Sequence, residues 1–305
     1  MQQLFALFLS WIMTFLSLFG FNLGGGTADP TPAPAPFTPE KGLVQTFSYG
    51  SADTQNLDLY LPSGKSSAGL LLFLHGGAWV SGDKESYTYE AKKWNRQGYA
   101  TATMNYRFLG NGVLFSDQLA DITAALNAIR QTADYNGVTL TKTVLVGESA
   151  GGHLALLYAY SKAAESPVRI TAAISSSAPT DFTDPEFIRS SDVVQSVITN
   201  IGLDPNFVAS ALESGLAEAF LPMLRSISPA KLVTASTVPT LMAHGTDDTV
   251  VPYSNALRLD TALSSAGVRH DFVTFQNAGH ALVGDTAARL RFQTLVSQYI
   301  AGYLN

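Results

Sequence analysis

Gly147-Glu148-Ser149-Ala150-Gly151, followed by Gly152, is the stretch of the chain most suited to chemistry. It lies between a short apolar run, Thr143–Val146, and a helical pattern, Ala150–Tyr160. That setting of strand, tight turn and helix is what a nucleophile elbow requires. The glycines let strand and helix approach closely, the turn strains the backbone at Ser149, and the helix N-terminus places a positive dipole beside the hydroxyl. A serine hydroxyl is a poor nucleophile at neutral pH and needs a positioned base. The chain has five histidines. His280, within Asn277-Ala278-Gly279-His280-Ala281, follows the strand pattern Asp271–Phe275, and its small neighbours leave the ring free to reach Ser149. His75, His153 and His244 sit at turns or helices beside strand ends and read as hydrogen-bonded structural residues. His270 reads as the exposed start of a strand.

The base in turn needs an acid that fixes its tautomer and stabilises the imidazolium. His244-Gly245-Thr246-Asp247-Asp248 follows the strand pattern Val238–Ala243, and either aspartate could serve. A tetrahedral intermediate needs backbone N–H groups aimed at its oxyanion. His75-Gly76-Gly77-Ala78-Trp79 follows the run Leu70–Leu74, so Gly76, Gly77 and Ala78, with the amide of Ala150, form the expected oxyanion hole. A glycine-rich turn could instead cradle phosphate, but neither G-x-x-x-x-G-K-[ST] nor G-x-G-x-x-G is present. No His, Asp and Glu cluster has metal-ligand spacing, H-E-x-x-H is absent and there is no cysteine, so no metal or cofactor is expected.

The elements that must hold these residues alternate. Val44–Tyr49, Leu57–Leu61, Leu70–Leu74, Tyr99–Asn105, Thr143–Val146, Ile170–Ser175, Val238–Ala243 and Asp271–Phe275 read as strands. Leu57, Leu59 and Leu61 alternate with polar neighbours, as in a half-exposed edge hairpin, whereas Leu70–Leu74 suits a strand buried on both faces. Tyr87–Arg96, Phe115–Thr132, Ala150–Tyr160, Pro252–Ala266 and Thr286–Tyr303 read as helices. The alternation predicts an α/β fold with a mostly parallel sheet covered on both faces. Residues 181–227 interrupt it with two helical patterns, Ser190–Ile201 and Asn206–Leu221, set off by Pro185, Pro205 and Pro222. Their place, after the strand that follows the Ser149 helix, predicts a cap over the site.

Of 305 residues, 18 are Lys or Arg and 24 are Asp or Glu, a net charge of -6 that argues against a partner recognised through phosphates, such as nucleic acid. No charged residue precedes Asp29. Residues 4–23 are almost wholly apolar and, at about 20 residues, long enough to span a bilayer. Residues 1–28 are expected to be a cleaved signal peptide, with Gly26-Thr27-Ala28 at the cut, or an uncleaved membrane anchor. Either would export the rest. Residues 29–39 hold five of the 14 prolines and read as an extended tether, which leaves 40–305 as the folded domain. Nothing in the sequence sets the oligomeric state.

From about Val44 to Tyr303 the chain resembles the α/β-hydrolase superfamily, in its esterase/lipase branch with an HGG-type oxyanion turn, which includes bacterial feruloyl- and acetylxylan-type esterases. The matching stretches are His75-Gly76-Gly77-Ala78-Trp79 with Gly82-Asp83-Lys84, Asn105-Tyr106-Arg107, Gly147 to His153, His244 to Asp248 with Val251-Pro252, and Gly279-His280. The chain order serine, aspartate, histidine is that of the superfamily. The resemblance implies a Ser149–His280–Asp248 triad, with Asp248 rather than Asp247 as the acid, and an acyl-enzyme mechanism on small or carbohydrate-linked esters. It also implies that Asp121 anchors the loop near Tyr106-Arg107. Trp79 either lines the substrate site or packs under the cap. Arylformamide or peptide cleavage by the same machinery, and a silent binding domain, are the alternatives it leaves.

Overall fold

The computed structural model describes residues 38–192, 194–195, 204–214 and 221–305. The apolar segment 4–23, nearly all of the tether and most of the predicted helix Ser190–Ile201 lie outside the described residues.

Among the described residues, eight strands form one sheet: β1 (Val44–Ser48), β2 (Asn56–Tyr60), β3 (Ser67–Leu74), β4 (Ala100–Met104), β5 (Thr139–Glu148), β6 (Ile170–Ser176), β7 (Thr240–Gly245) and β8 (His270–Phe275). Their order in space is β1-β2-β4-β3-β5-β6-β7-β8. The first two pairings are antiparallel and the other five parallel. Crossovers carry α1 (Thr88–Asn95), α2 (Phe115–Tyr135), α3 (Ser149–Ser161) and α8 (Tyr253–Ser265), and the chain closes with α9 (Thr286–Leu304). The sheet divides the core in two. α2, α3 and α8 pack on one face, where Ile122, Leu126, Ile129, Leu154 and Leu259 are sealed against Leu70, Leu72, Leu145 and Met242. α1 and α9 cover the other, with Trp94, Tyr299 and Ile300 against Leu71, Phe73, Val144 and Ile174. α3 is buried from Ala150 through Ala159, which accounts for its lack of a polar face.

Two sequence expectations change. β2 is not half-exposed: it lies second from the edge, and Leu57 through Tyr60 are all buried. Asp58, on its apparently polar face, is covered by Lys84, whose Nζ stands 2.8 Å from Oδ1, and accepts the Thr46 hydroxyl at 2.7 Å. The exposed edge is β1, whose residues alternate between exposed and half-buried. β5 runs from Thr139 to Glu148 rather than Thr143–Val146, because backbone pairing with β3 carries its polar first residues along.

Between β6 and β7 the described chain forms α4 (Pro185–Ser190), α5 (Pro205–Glu213), α6 (Leu221–Ser226) and α7 (Pro229–Leu232). Pro185 and Pro205 open helices instead of breaking them, each preceded by an aspartate whose carboxylate caps the first turn. The start of this excursion is bolted to α8. The Asn255 side chain accepts from Thr180 N at 2.6 Å and donates to Asp181 O at 2.8 Å. Buried Asp181 and Asp184 pair with Lys231 at 3.0 Å and Arg258 at 3.1 Å.

Candidate active site

The C-terminal ends of β3, β5, β6, β7 and β8 open into a cleft of about 560 Å³. Ser149, directly after β5 and first in α3, is in the left-handed region, with φ of 51°. That strain is held by a close approach for which only glycine has room: a Cβ on Gly151 would stand 2.0 Å from the Leu74 carbonyl oxygen, and one on Gly147 2.4 Å from Gly151. Ser149 Oγ lies 2.9 Å from His280 Nε2. His280 Nδ1 lies 2.8 Å from Asp248 Oδ2. The three residues predicted to act together therefore form one continuous hydrogen-bonded chain, brought from the ends of β5, β7 and β8.

Each link is fixed from behind. Ser177, itself at φ of 48°, donates to the His280 carbonyl at 2.7 Å. Asp247 N donates to Ala278 O at 3.0 Å, locking the Asp248 loop to the His280 loop. Asp248 Oδ1 accepts the amides of Val250 and Val251 at 2.9 and 3.0 Å. Burial pushes the Asp248 carboxyl up, but hydrogen bonds from His244, His280 and the Val251 amide outweigh it and hold the group well below the usual carboxylate range. Asp247, the other candidate, is exposed and takes only the Thr246 hydroxyl among the described residues.

Across the cleft, Gly77, Ala78 and Trp79 all have positive φ, at 118°, 53° and 63°. The turn is closed by Val80 N and Ser81 N, which both donate to Gly77 O, at 3.1 and 3.0 Å. The amides of Gly77, Ala78 and Ala150 have no acceptor among the described residues, and all three residues border the cleft beside Ser149. Gly76 contributes differently. Its carbonyl accepts His75 Nδ1–H at 2.7 Å, which sets the ring plane against Tyr106 at 4.4 Å between centroids. Burial lowers the His75 pKa, opposed by the Gly76 bond and the Asp83 charge.

Trp79 was expected to line the substrate site or to pack under the excursion. The residue borders the cleft, but its indole is committed to the core: it is 2 % exposed and lies edge-on to Phe115 and His153, 5.5 and 5.4 Å between centroids. Its N–H donates to His153 Nδ1 at 3.1 Å. A substrate role for the indole is therefore replaced by a packing role, since its polar handle is already spent inside. His153 Nε2–H donates to the Ile227 carbonyl at 2.8 Å. Complete burial, only partly opposed by that bond, pulls its pKa down to about 4, so His153 is a neutral strut between oxyanion turn and excursion. Asp121 does anchor the neighbouring loop, accepting from Arg107 N at 2.9 Å and Arg107 Nη2 at 2.7 Å. His270, half-buried at the start of β8, pairs with Asp260 at 3.1 Å.

Sequence reasoning missed four contributors. His244 was read as structural, yet its Nε2 lies 3.1 Å from Asp248 Oδ2. Its spacing of four residues from the acid was the available signal. Ser177 carried none. Asn105 and Asp83 brace the oxyanion turn: the Asn105 side chain accepts Lys84 N at 2.6 Å and donates to Asp83 at 3.0 Å. A second hollow of about 770 Å³, between α1 and α9, borders Glu148 but none of the three linked residues. Among the described residues, no group of three or more His, Cys, Asp or Glu could hold a metal ion.

A family model described as BD-FAE matches residues 57–263, which include the His75–Trp79 turn, Ser149 and Asp248. The chain belongs to the BD-FAE family. Among relatives of this family member, a probable isoprenylcysteine alpha-carbonyl methylesterase of Oryza sativa is 23% identical over 78% of this chain and 58% of its own length. The Mycobacterium tuberculosis esterase LipC is 26% identical over 68% of this chain and 52% of its own. The chain thus spans little more than half of these relatives. Thermogutta terrifontis esterase 2, solved phosphonylated by sarin, superposes with a TM-score of 0.66 at 23% identity, covering 87% of this chain and 96% of that one. A truncated carbohydrate esterase from gut microbiota superposes with 0.65 at 18% identity, covering 85% and 98%. The fold is that of the α/β hydrolases.

Proposed function

We propose that this BD-FAE family member is a serine hydrolase of carboxylic esters. The observation that carries the reading is the unbroken chain from Ser149 Oγ through His280 to Asp248, with links of 2.9 and 2.8 Å. Ser149 Oγ attacks the ester carbonyl carbon while His280 Nε2 takes its proton. The carbonyl oxygen becomes an oxyanion facing the amides of Gly77, Ala78 and Ala150. Collapse breaks the bond to the alcohol, which leaves with the proton from His280. Water then attacks the acyl-serine, again deprotonated by His280, and the acid departs as Ser149 regains its proton. Asp248 holds the Nδ1–H tautomer and the imidazolium throughout.

Small or carbohydrate-linked esters are the substrates best matched to the cleft. Its volume of about 560 Å³ suits a compact ligand, and Ser81, Ser86 and Ser176 are among the polar residues that line it. Phe187, Ser191 and Val194 bring the 181–227 excursion to the same cleft, in keeping with a cap. The charge-free segment 4–23 would export the domain and either be removed or keep it on a membrane, an assignment that protease accessibility on intact cells would test.

Ser149→Ala tests the reading. Hydrolysis of a short acyl aryl ester should fall by about 10⁴-fold or more, with folding intact. An aryl phosphonate should label the wild-type chain once and the variant not at all. Retained turnover in Ser149→Ala would overturn the proposal. A matched amide assayed beside the ester separates ester from amide hydrolysis.

A further inference from the structure

His244 lies near the end of β7, four residues before Asp248, and its side chain is 1 % exposed. Its Nε2 stands 2.8 Å from the Val251 carbonyl oxygen and 3.1 Å from Asp248 Oδ2. With the carboxyl ionised, both neighbours only accept, so Nε2 carries a proton and donates between them. Oδ2 is also the oxygen that receives His280 Nδ1–H at 2.8 Å. Two imidazoles therefore share one carboxylate oxygen, and the one remote from Ser149 is buried.

We propose that His244 is a positioning residue for the triad acid: its N–H holds the Asp248 carboxylate facing His280 and draws off part of its charge. The proposal rests on the Ser149–His280–Asp248 reading above. Two effects separate this role from space-filling. Without the donor, the carboxylate is more basic and stabilises the His280 imidazolium more strongly, so the acid limb of the rate profile moves to higher pH. The carboxylate also loses one of its four N–H partners, and the Val251 carbonyl loses its side-chain donor. Other titratable groups nearby are accounted for. Tyr253, at the start of α8, has its ring centroid 6.2 Å from that of His244 and its hydroxyl bonded to Thr274 at 2.6 Å. Asp247 is exposed on the same loop, and His75, Asp83 and Glu148 stand on the cleft wall. Among the described residues, none of these is bonded to the Asp248 carboxylate.

The test compares His244→Phe, which fills the space of the ring without a donor, with His244→Gln, which offers an amide N–H. kcat/KM for a short acyl aryl ester is measured across pH. His244→Phe should lower the plateau by about tenfold to a hundredfold, the worth of a hydrogen bond to a charged group. Its acid limb should rise by about half a pH unit or more. His244→Gln should keep the wild-type limb and lose at most about threefold. Wild-type behaviour of His244→Phe, or equal losses in both variants with the limb unmoved, would overturn the proposal. Isotope-edited histidine NMR of the wild-type chain gives a second readout that needs no variant: His244 should carry its proton on Nε2, and a proton confined to Nδ1 would refute the donor. The Ser149→Ala assay keeps the two readings apart. Retained turnover there removes the triad, whereas the tautomer measurement bears on the His244 bond alone.

Discussion

Four N–H groups converge on the Asp248 carboxylate: the amides of Val250 and Val251 and the side chains of His280 and His244. Asp247, its neighbour, meets solvent and one threonine hydroxyl. The adjacent aspartates are thus chemically unlike, although nothing in their side chains distinguishes them. Asp248→Asn should keep the fold but lower kcat by about 10⁴-fold, because an amide N–H facing His280 favours the wrong tautomer. Asp247→Asn should change kcat by less than about threefold, as expected for an exposed group outside the chain of links. Steady-state kinetics on one ester compares the two. The order of motifs pointed to this site because each motif is local and directly follows its own strand. For His244 the four-residue spacing alone was too weak a signal, because its hydrogen bond depends on how the loop to Val251 folds back.

Among the elements, the segment after the oxyanion turn shows how a strand far from the cleft supports it. Lys84 follows the turn and is buried against Asp58 on β2, while its amide is held by Asn105 just past β4. Removing one partner of such a pair leaves a buried charge uncompensated. Lys84→Met should cost about 3–5 kcal/mol in urea denaturation, and Asp58→Leu in the same chain should restore most of it. The alternation of Leu57, Leu59 and Leu61 suggested a solvent-facing strand because a lone aspartate in a strand normally marks water. Only the fold supplies the lysine that makes its burial tolerable. In the excursion, the prolines that set off the helical patterns sit in the first turn of their helices, where Asp184 and Asp204 supply the caps.

For the whole molecule, the neutral buried His153 couples stability to pH. Its folded-state pKa of about 4 lies below the ordinary 6.5, so the unfolded chain binds the proton first as pH falls. Stability should be independent of this group above pH 6.5, then decline by about 1.4 kcal/mol per unit towards pH 4, about 3 kcal/mol in all. Asp248 adds to the loss at lower pH. Its folded-state pKa is depressed, so its contribution is present above the ordinary carboxylate value of 3.8 and is lost as pH falls through the folded value. Denaturant midpoints for wild type and His153→Gln at several pH values check the first window: the variant should be less stable near neutrality and flatter between pH 6.5 and 4.

Taken alone, the sequence determined the parallel α/β order, the strand–turn–helix at Ser149, the loop carrying His280 after its strand and the glycine turn from His75, because each depends on residues close in the chain and on hydrophobic periodicity. Tertiary structure decided the rest. It turned the Trp79 indole into the core, covered Asp58 with Lys84 and set His244 against the Asp248 carboxylate. The first two depend on which polar group finds a buried partner from another segment and the third on how the loop to Val251 folds back, and a linear pattern carries no record of either.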